Sequence, residues 1–234
     1  MTSERLPGKV LKKVLGKTIL EYHLERIKLV PSVDEVVVAT TVNNTDDPIV
    51  ELCEQTNTAF YRGSELDVLS RYYDAAKHFN ADVVMRVTSD CPLLDPVELE
   101  KITRLYLDNP DCFDYVSNFV IERTYPRGME AEVFPFRVLE EASREALEAR
   151  EREHVTTFIY ERPERYRLGG LRYGSDESRY RLTVDTGADL ELVSKIIESL
   201  YPEKNNFHLH DILELMKENP EWELINRHVK QKKY

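Results

Sequence analysis

Between residues 18 and 107 the hydrophobic pattern switches repeatedly between a helical period and short strand-like runs, and this restricts the fold more than any other feature of the chain. Residues 18–29 put Ile19, Leu20, Leu24 and Ile27 on one helical face. Residues 34–41, Asp-Glu-Val-Val-Val-Ala-Thr-Thr, then form a β-branched run suited to a buried strand. Asp46, Asp47 and Pro48 start a helix, with an acidic cap and a proline near its first turn. Residues 59–61 predict a brief strand, 66–79 a second amphipathic helix and 82–88 another strand. Asp95 and Pro96 cap a helix reaching about residue 107. Alternation at this spacing predicts an α/β fold, doubly wound, whose mostly parallel sheet is covered on both faces.

The pattern changes after residue 107. Residues 113–119 and 131–136 predict strands, separated by Glu-Arg-Thr-Tyr-Pro-Arg-Gly. Helices are expected over 138–149 and 154–161, strands over 166–173 and 180–185, and a helix over 189–200. In that helix Leu190, Val193, Ile196, Ile197 and Leu200 make a core-facing stripe. The tail from residue 209 is polar and helical and ends in a basic fringe, Lys230, Lys232 and Lys233. The expected organisation is one domain over 1–205, an inserted β lobe over about 113–175, and a helical tail over 206–234. The chain's 234 residues, 41% of them apolar, suffice for such a core.

Charge narrows the partners. Against 32 Lys and Arg stand 43 Asp and Glu, a formal net charge of −11. A nucleic-acid surface needs a basic stripe, so none is expected, although a local cation cluster can still hold a small phosphorylated ligand. Cys53, Cys91 and Cys112 are odd in number and lack metal-ligand spacing, which fits a reduced cytoplasmic protein. No apolar run approaches the ~20 residues of a membrane span.

The chemistry is concentrated at strand ends, where ligands of a doubly wound sheet sit. Residues 2–9 read Thr-Ser-Glu-Arg-Leu-Pro-Gly-Lys, the composition of a phosphate loop: Gly8 for close backbone approach, Pro7 for stiffness, and the cations Arg5 and Lys9. Such a loop normally follows a strand. The reading therefore expects Met1 to be an internal methionine, with the native protein beginning upstream and neighbouring strand edges left unpaired. Ser89-Asp90-Cys91-Pro92 follows the strand at 82–88, and Val184-Asp185-Thr186 follows the one at 180–185. Two carboxylates from separate strand ends suit Mg²⁺ with phosphate oxygens, and facing cations suit a triphosphate. Together they describe nucleotidyl transfer with loss of pyrophosphate. Plainer roles exist for each residue alone. Asp185 equally suits a helix start, Asp90 a turn, and Arg5 and Lys9 a solvated surface.

These segments, in this order, resemble the cytidylyltransferases that activate acidic sugars, among them the enzymes making CMP-sialic acid and CMP-3-deoxy-octulosonate. The likeness is nearest to the spore-coat polysaccharide branch. It runs from Met1 through Leu11 and continues at Arg62-Gly-Ser-Glu-Leu-Asp-Val-Leu-Ser-Arg-Tyr72, Thr88-Ser-Asp-Cys-Pro-Leu93 and Asp114-Tyr-Val-Ser-Asn118. Thr124-Tyr-Pro-Arg-Gly128, Arg152-Glu-His-Val-Thr156 and Leu182-Thr-Val-Asp-Thr186 complete it, so that it covers roughly residues 1–200. The resemblance implies a nucleotide-diphospho-sugar transferase-like fold and CTP and a sugar as substrates. It implies that Arg5, Lys9 and Gly8 bind the triphosphate and that Asp90 and Asp185 hold catalytic Mg²⁺. Arg62, Gly63, Ser64 and Arg71 would belong to the nucleotide pocket, although Arg62 equally suits a pair with Glu65 and Arg71 an i,i+4 pair with Asp67. The inserted lobe would receive the sugar, with Arg127, Glu130, Glu132, Glu153 and His154 as polar candidates. A histidine starting a helix is more often structural, and His208 and His210 look incidental.

Two other readings compete. A glycosyltransferase using a preformed nucleotide-sugar usually carries Asp-x-Asp, which this sequence lacks. An incomplete chain that only binds is the second. Which sugar is activated, and cytosine over uracil, are not legible in any residue. A homodimer pairing through residues 113–136 is expected.

Overall fold

The computed structural model describes residues 3–231; Met1 and Thr2 of the opening loop, and Lys232 and Lys233 of the basic fringe, lie outside them. A 3₁₀ turn over Lys9–Leu11 leads into the hairpin β1 (Lys13–Val14) and β2 (Lys17–Thr18), then α1 (Ile19–Ile27). Next come β3 (Val37–Thr41), α2 (Asp47–Gln55), β4 (Ala59–Gly63), α3 (Val68–His78), β5 (Val83–Arg86) and α4 (Pro96–Leu107). The second half holds β6 (Tyr115–Ser117), β7 (Glu132–Pro135), α5 (Phe136–Glu145), α6 (Ala149–His154), α7 (Thr157–Tyr160) and β8 (Leu168–Gly170). It closes with α8 (Gly187–Leu200), α9 (Leu209–Glu218) and α10 (Glu223–Asn226).

The helix starts follow their capping residues. Thr18 Oγ1 accepts from Glu21 N while Glu21 Oε2 accepts from Thr18 N, a reciprocal cap for α1. Asp95 accepts from Val97 N, and Pro96 occupies the first turn of α4, where its missing N–H costs nothing.

The α/β class expected from the alternation is what the chain adopts. β3 and β4 pair in parallel, and a four-stranded sheet has the order β5-β7-β6-β8. β7 runs antiparallel to both neighbours and β6 pairs parallel with β8, so the larger sheet is mixed. The antiparallel strand comes from within residues 113–175. β6 to β8 thus share a sheet with β5, and β6 and β7 are buried along their whole length because Val116, Val133 and Phe134 are apolar on both faces. α9 likewise packs into the core: Leu209, Ile212, Leu213 and Met216 meet Leu192, Val193, Ile196 and Ile197 of α8.

One expected strand is not a strand. Residues 180–185 form a single parallel bridge, Arg127 to Arg181, among the described residues. Their backbone is laced to loops instead: Leu182 N donates to Arg127 O at 2.7 Å and Val184 N to Asp90 O at 2.8 Å. Gly128, at φ 95°, permits this close approach, because a Cβ there would lie 2.6 Å from the Leu182 carbonyl carbon. The expected helix over 154–161 is also displaced, since His154 ends α6 and α7 begins at Thr157.

Among the described residues β3 pairs only with β4, and β5 only with β7. Between them lies a cleft of about 530 Å³, lined by Val37, Val38, Val83 and Met85 and by Leu24 of α1 and Tyr72 of α3. No helix of the described residues is long and apolar enough to cross a membrane.

Candidate nucleotide site

Gly8 adopts a left-handed conformation, φ 66°, and its carbonyl accepts from Leu11 N at 2.9 Å, which turns the loop sharply into the 3₁₀ segment. The turn sends the Lys9 side chain across to two carboxylates distant in sequence. Lys9 Nζ donates to Asp90 Oδ2 at 2.5 Å and to Asp185 Oδ1 at 2.8 Å. The other oxygen of Asp185 faces arginines: Arg5 Nη2 at 3.0 Å and Arg181 Nη2 at 2.6 Å. Burial works to lower the Lys9 pKa, but Asp90 and Asp185 outweigh it and hold the ammonium charged. Burial pushes Asp185 up, and Lys9, Arg5 and Arg181 together bring its pKa below the ordinary value.

Arg5, Lys9, Asp90 and Asp185 form one end of a cleft of about 480 Å³. Its walls carry six Lys or Arg and four Asp or Glu, a local cation excess in a chain of net charge −11. Arg127 lines it and has no ion-pair partner among the described residues, while burial and the neighbouring Arg123 lower its pKa. Glu130 also lines it, accepting from Arg123 Nη1 at 2.5 Å and from Gly128 N at 2.6 Å.

Glu132 and His154 face the same cleft in different ways. The Glu132 carboxylate is 2% exposed, and both oxygens are taken. Tyr115 Oη donates to Oε1 at 2.7 Å, Thr156 Oγ1 to the same oxygen, and Arg86 Nη1 to Oε2. Glu132 is therefore a buried anchor for Arg86, which itself lines the cleft, and not a free ligand group. His154 lines the cleft, with its pKa lowered by burial. It is held by a γ-turn: Val155 has φ 62° and ψ −59°, and Thr156 N donates to His154 O at 2.6 Å. A β-branched residue rarely tolerates that conformation, so the tightly packed surroundings impose it. Glu153 is exposed and does not line the cleft, because adjacent positions on the short helix α6 point to different sides.

The Arg62 group lies elsewhere, at the carboxyl end of β4. Arg62 donates to the carbonyls of Thr41 and Asn43, each at 2.8 Å, and pairs with Asp47, not Glu65. Arg71 packs over Gly63, where a Cβ would meet its Cγ at 2.8 Å, and donates to Ser64 O. Its Nε is buried without a hydrogen-bond partner among the described residues, burial lowers its pKa, and Asp67 pairs with Arg152 instead. None of Arg62, Gly63, Ser64 and Arg71 lines the 480 Å³ cleft. His208 pairs with Asp95 and His210 with Glu214, away from it.

Residues missed by the sequence reading include Arg86, Arg123, Arg181 and Thr156. Arg86 left a legible signal, a cation inside the apolar run Val-Val-Met-Arg-Val. Arg181 left a weaker one, four residues before Asp185.

Two hard-oxygen carboxylates converging on one cation, beside a cation-lined cleft, is a donor set that fits a divalent metal with phosphate ligands. Comparison with known proteins gives the family. The chain is 35% identical to a cytidylyltransferase from Leptospira borgpetersenii serovar Hardjo-bovis, with a TM-score of 0.90 over 100% of this chain and 95% of that one. It is 30% identical to the spore coat polysaccharide biosynthesis protein SpsF of Bacillus subtilis, over 94% of this chain and 92% of the relative. The fold is shared with a CMP:2-keto-3-deoxy-manno-octonic acid synthetase solved with CTP, at a TM-score of 0.63 and 18% identity over 84% of this chain and 94% of that one. A cytidylyltransferase family model accounts for residues 1–218, a span containing the loop cations and both carboxylates, and the chain belongs to that family.

Proposed function

We propose that the chain transfers a cytidylyl group from CTP to an acidic sugar destined for a surface polysaccharide, releasing pyrophosphate. The observation that carries this reading is the bridging of Asp90 and Asp185 by Lys9 at the end of a cation-lined cleft. Arg5, Lys9 and the Gly8 backbone take the triphosphate, with Lys9 exchanging its carboxylate partners for phosphate oxygens. Asp90 and Asp185 are the residues that would hold Mg²⁺, which would supply neutralisation of the phosphate charge. Arg127, which has no ion pair among the described residues, receives the acid group of the acceptor, and Glu130 and His154 border the same space. The acceptor hydroxyl attacks the α-phosphorus while Arg5 and Lys9 stabilise the leaving pyrophosphate. Arg71, whose Nη1 donates to Ser64 O at the end of β4, is assigned to the base side of the nucleotide. The three unpaired cysteines suit a reducing compartment, and the reading puts the reaction in the cytoplasm.

The test is a product screen in which CTP, UTP, GTP and ATP are each offered with a panel of acidic and neutral sugars. Pyrophosphate and a CMP-sugar should form in equal amounts, with CTP and an acidic sugar only. Release of nucleoside diphosphate from a preformed nucleotide-sugar, without pyrophosphate, would replace this reading by glycosyl transfer.

A further inference from the structure

Asp185 is fixed from behind by a buried hub. Its backbone N–H donates to Asp189 Oδ2 at 3.1 Å, and Thr186 adds its N–H at 2.9 Å and its hydroxyl at 3.0 Å to the same oxygen. Asp189 is fully buried, and its Oδ1 accepts from Arg181 Nε at 2.9 Å. Arg181 spends Nη2 on Asp185 Oδ2 and Nη1 on Gln231 Oε1, each at 2.6 Å. The last donor comes from far along the chain. Asn226, 3% exposed at the end of α10, donates from Nδ2 to both Asp189 Oδ1 and Arg181 O, each at 2.9 Å.

We propose that Asn226 is a positioning residue for Asp185, an inference that rests on Asp185 being a carboxylate of the nucleotide site. A buried carboxylate demands a full set of donors, and a hub with one missing relaxes. Without Asn226, Asp189 Oδ1 keeps only Arg181, and the Arg181 carbonyl loses its donor. The guanidinium is then free to shift toward Gln231, which leaves Asp185 Oδ2 with Arg5 alone and Oδ1 less firmly held against Lys9. The segment beyond residue 218, outside the family-matched span, is thereby part of the site.

The experiment compares wild type, Asn226→Ala, Asn226→Ser and Leu213→Ala. The last is a core control in α9 that does not touch the hub. Amide exchange of Asp185 and Thr186 is read by NMR in metal-free protein, alongside kcat and KM for CTP. In Asn226→Ala these two amides should exchange ~10-fold faster, with kcat down ~10-fold and KM for CTP within about twofold, the scale of outer-shell substitutions at metal sites. Asn226→Ser should lie between it and wild type. Leu213→Ala should lower Tm while sparing both amides and kcat. Unchanged amides and kcat in Asn226→Ala, equal effects in Leu213→Ala, or failure of both Asn226 variants to fold would overturn the inference. A wild type that makes no CMP-sugar would remove the proposed function, whereas the exchange data would still decide whether Asn226 holds the Asp185 loop.

Discussion

Asp185 and Glu132 line the same cleft, each beside a cation, and they are built for opposite tasks. Asp185 keeps 15% of its side chain exposed and takes two of its partners, Arg5 and Lys9, from a loop some 176 residues away in sequence. Glu132 keeps 3% exposed, with partners from β5, β6 and the turn after α6. A carboxylate whose cations arrive on a part-buried loop lining the cleft can trade them for a ligand. One sealed by three donors from two strands and a turn cannot, because any exchange would strand a buried charge. On the proposed function the contrast separates chemistry from scaffold inside one cavity: the Asp185 end would handle the nucleotide, while the Glu132 end holds Arg86.

Substitutions can break this comparison. The largest effect is expected at the exchangeable end, where Asp185→Ala should lower kcat roughly 10³-fold, the scale of losing a preorganised electrostatic contact, in a protein that still folds. Steady-state pyrophosphate release and a melting curve on the same sample check both halves. At the sealed end the order reverses. Glu132→Ala should cost about 3–5 kcal/mol of stability by leaving the buried Arg86 unpaired, which a denaturant titration reads directly. A Glu132→Ala protein of wild-type stability would show that the sealed end is not scaffold.

A third carboxylate, outside the cleft, gives the smallest effect. Hydrogen bonds from Arg167, outweighing burial, and from Arg137 hold Asp114 well below its ordinary pKa of 3.8. The folded protein thus binds that proton less tightly than the unfolded chain does. The stability Asp114 contributes is complete above about pH 4 and is lost as the pH falls further toward its folded value. Urea midpoints for wild type and Asp114→Asn should differ most at pH 7, and the gap should narrow progressively as the pH falls below 4.

Most of the fold, and the convergence of Lys9, Asp90 and Asp185, were legible in the chain. Periodicity finds α1 to α4 and β3 to β5 within a few residues, because each element's apolar face is local information. Lys9, Asp90 and Asp185 were legible because each follows a turn signal at the end of an apolar run or within a Gly-Pro loop. The sealed end was not, since Glu132 became a candidate by its charge alone and three donors from other elements decide its role. The helix expected to begin at His154 failed at Val155, whose positive φ no propensity anticipates. Residues 180–185 have the composition of a strand, yet loops at Arg127 and Asp90 take their hydrogen bonds. Arg62, at the end of β4, pairs with Asp47 at the start of α2 and not with Glu65 nearby, a choice that depends on the β3–β4 register.

The central claim is that Lys9 marks where the nucleotide's metal ion is held. A crystal structure with CTP and Mn²⁺, located by anomalous scattering, tests it most directly. The account predicts Mn²⁺ between Asp90 Oδ2 and Asp185 Oδ1, with Lys9 withdrawn onto a phosphate oxygen. Lys9 still bridging the two carboxylates while nucleotide and metal bind elsewhere would contradict it.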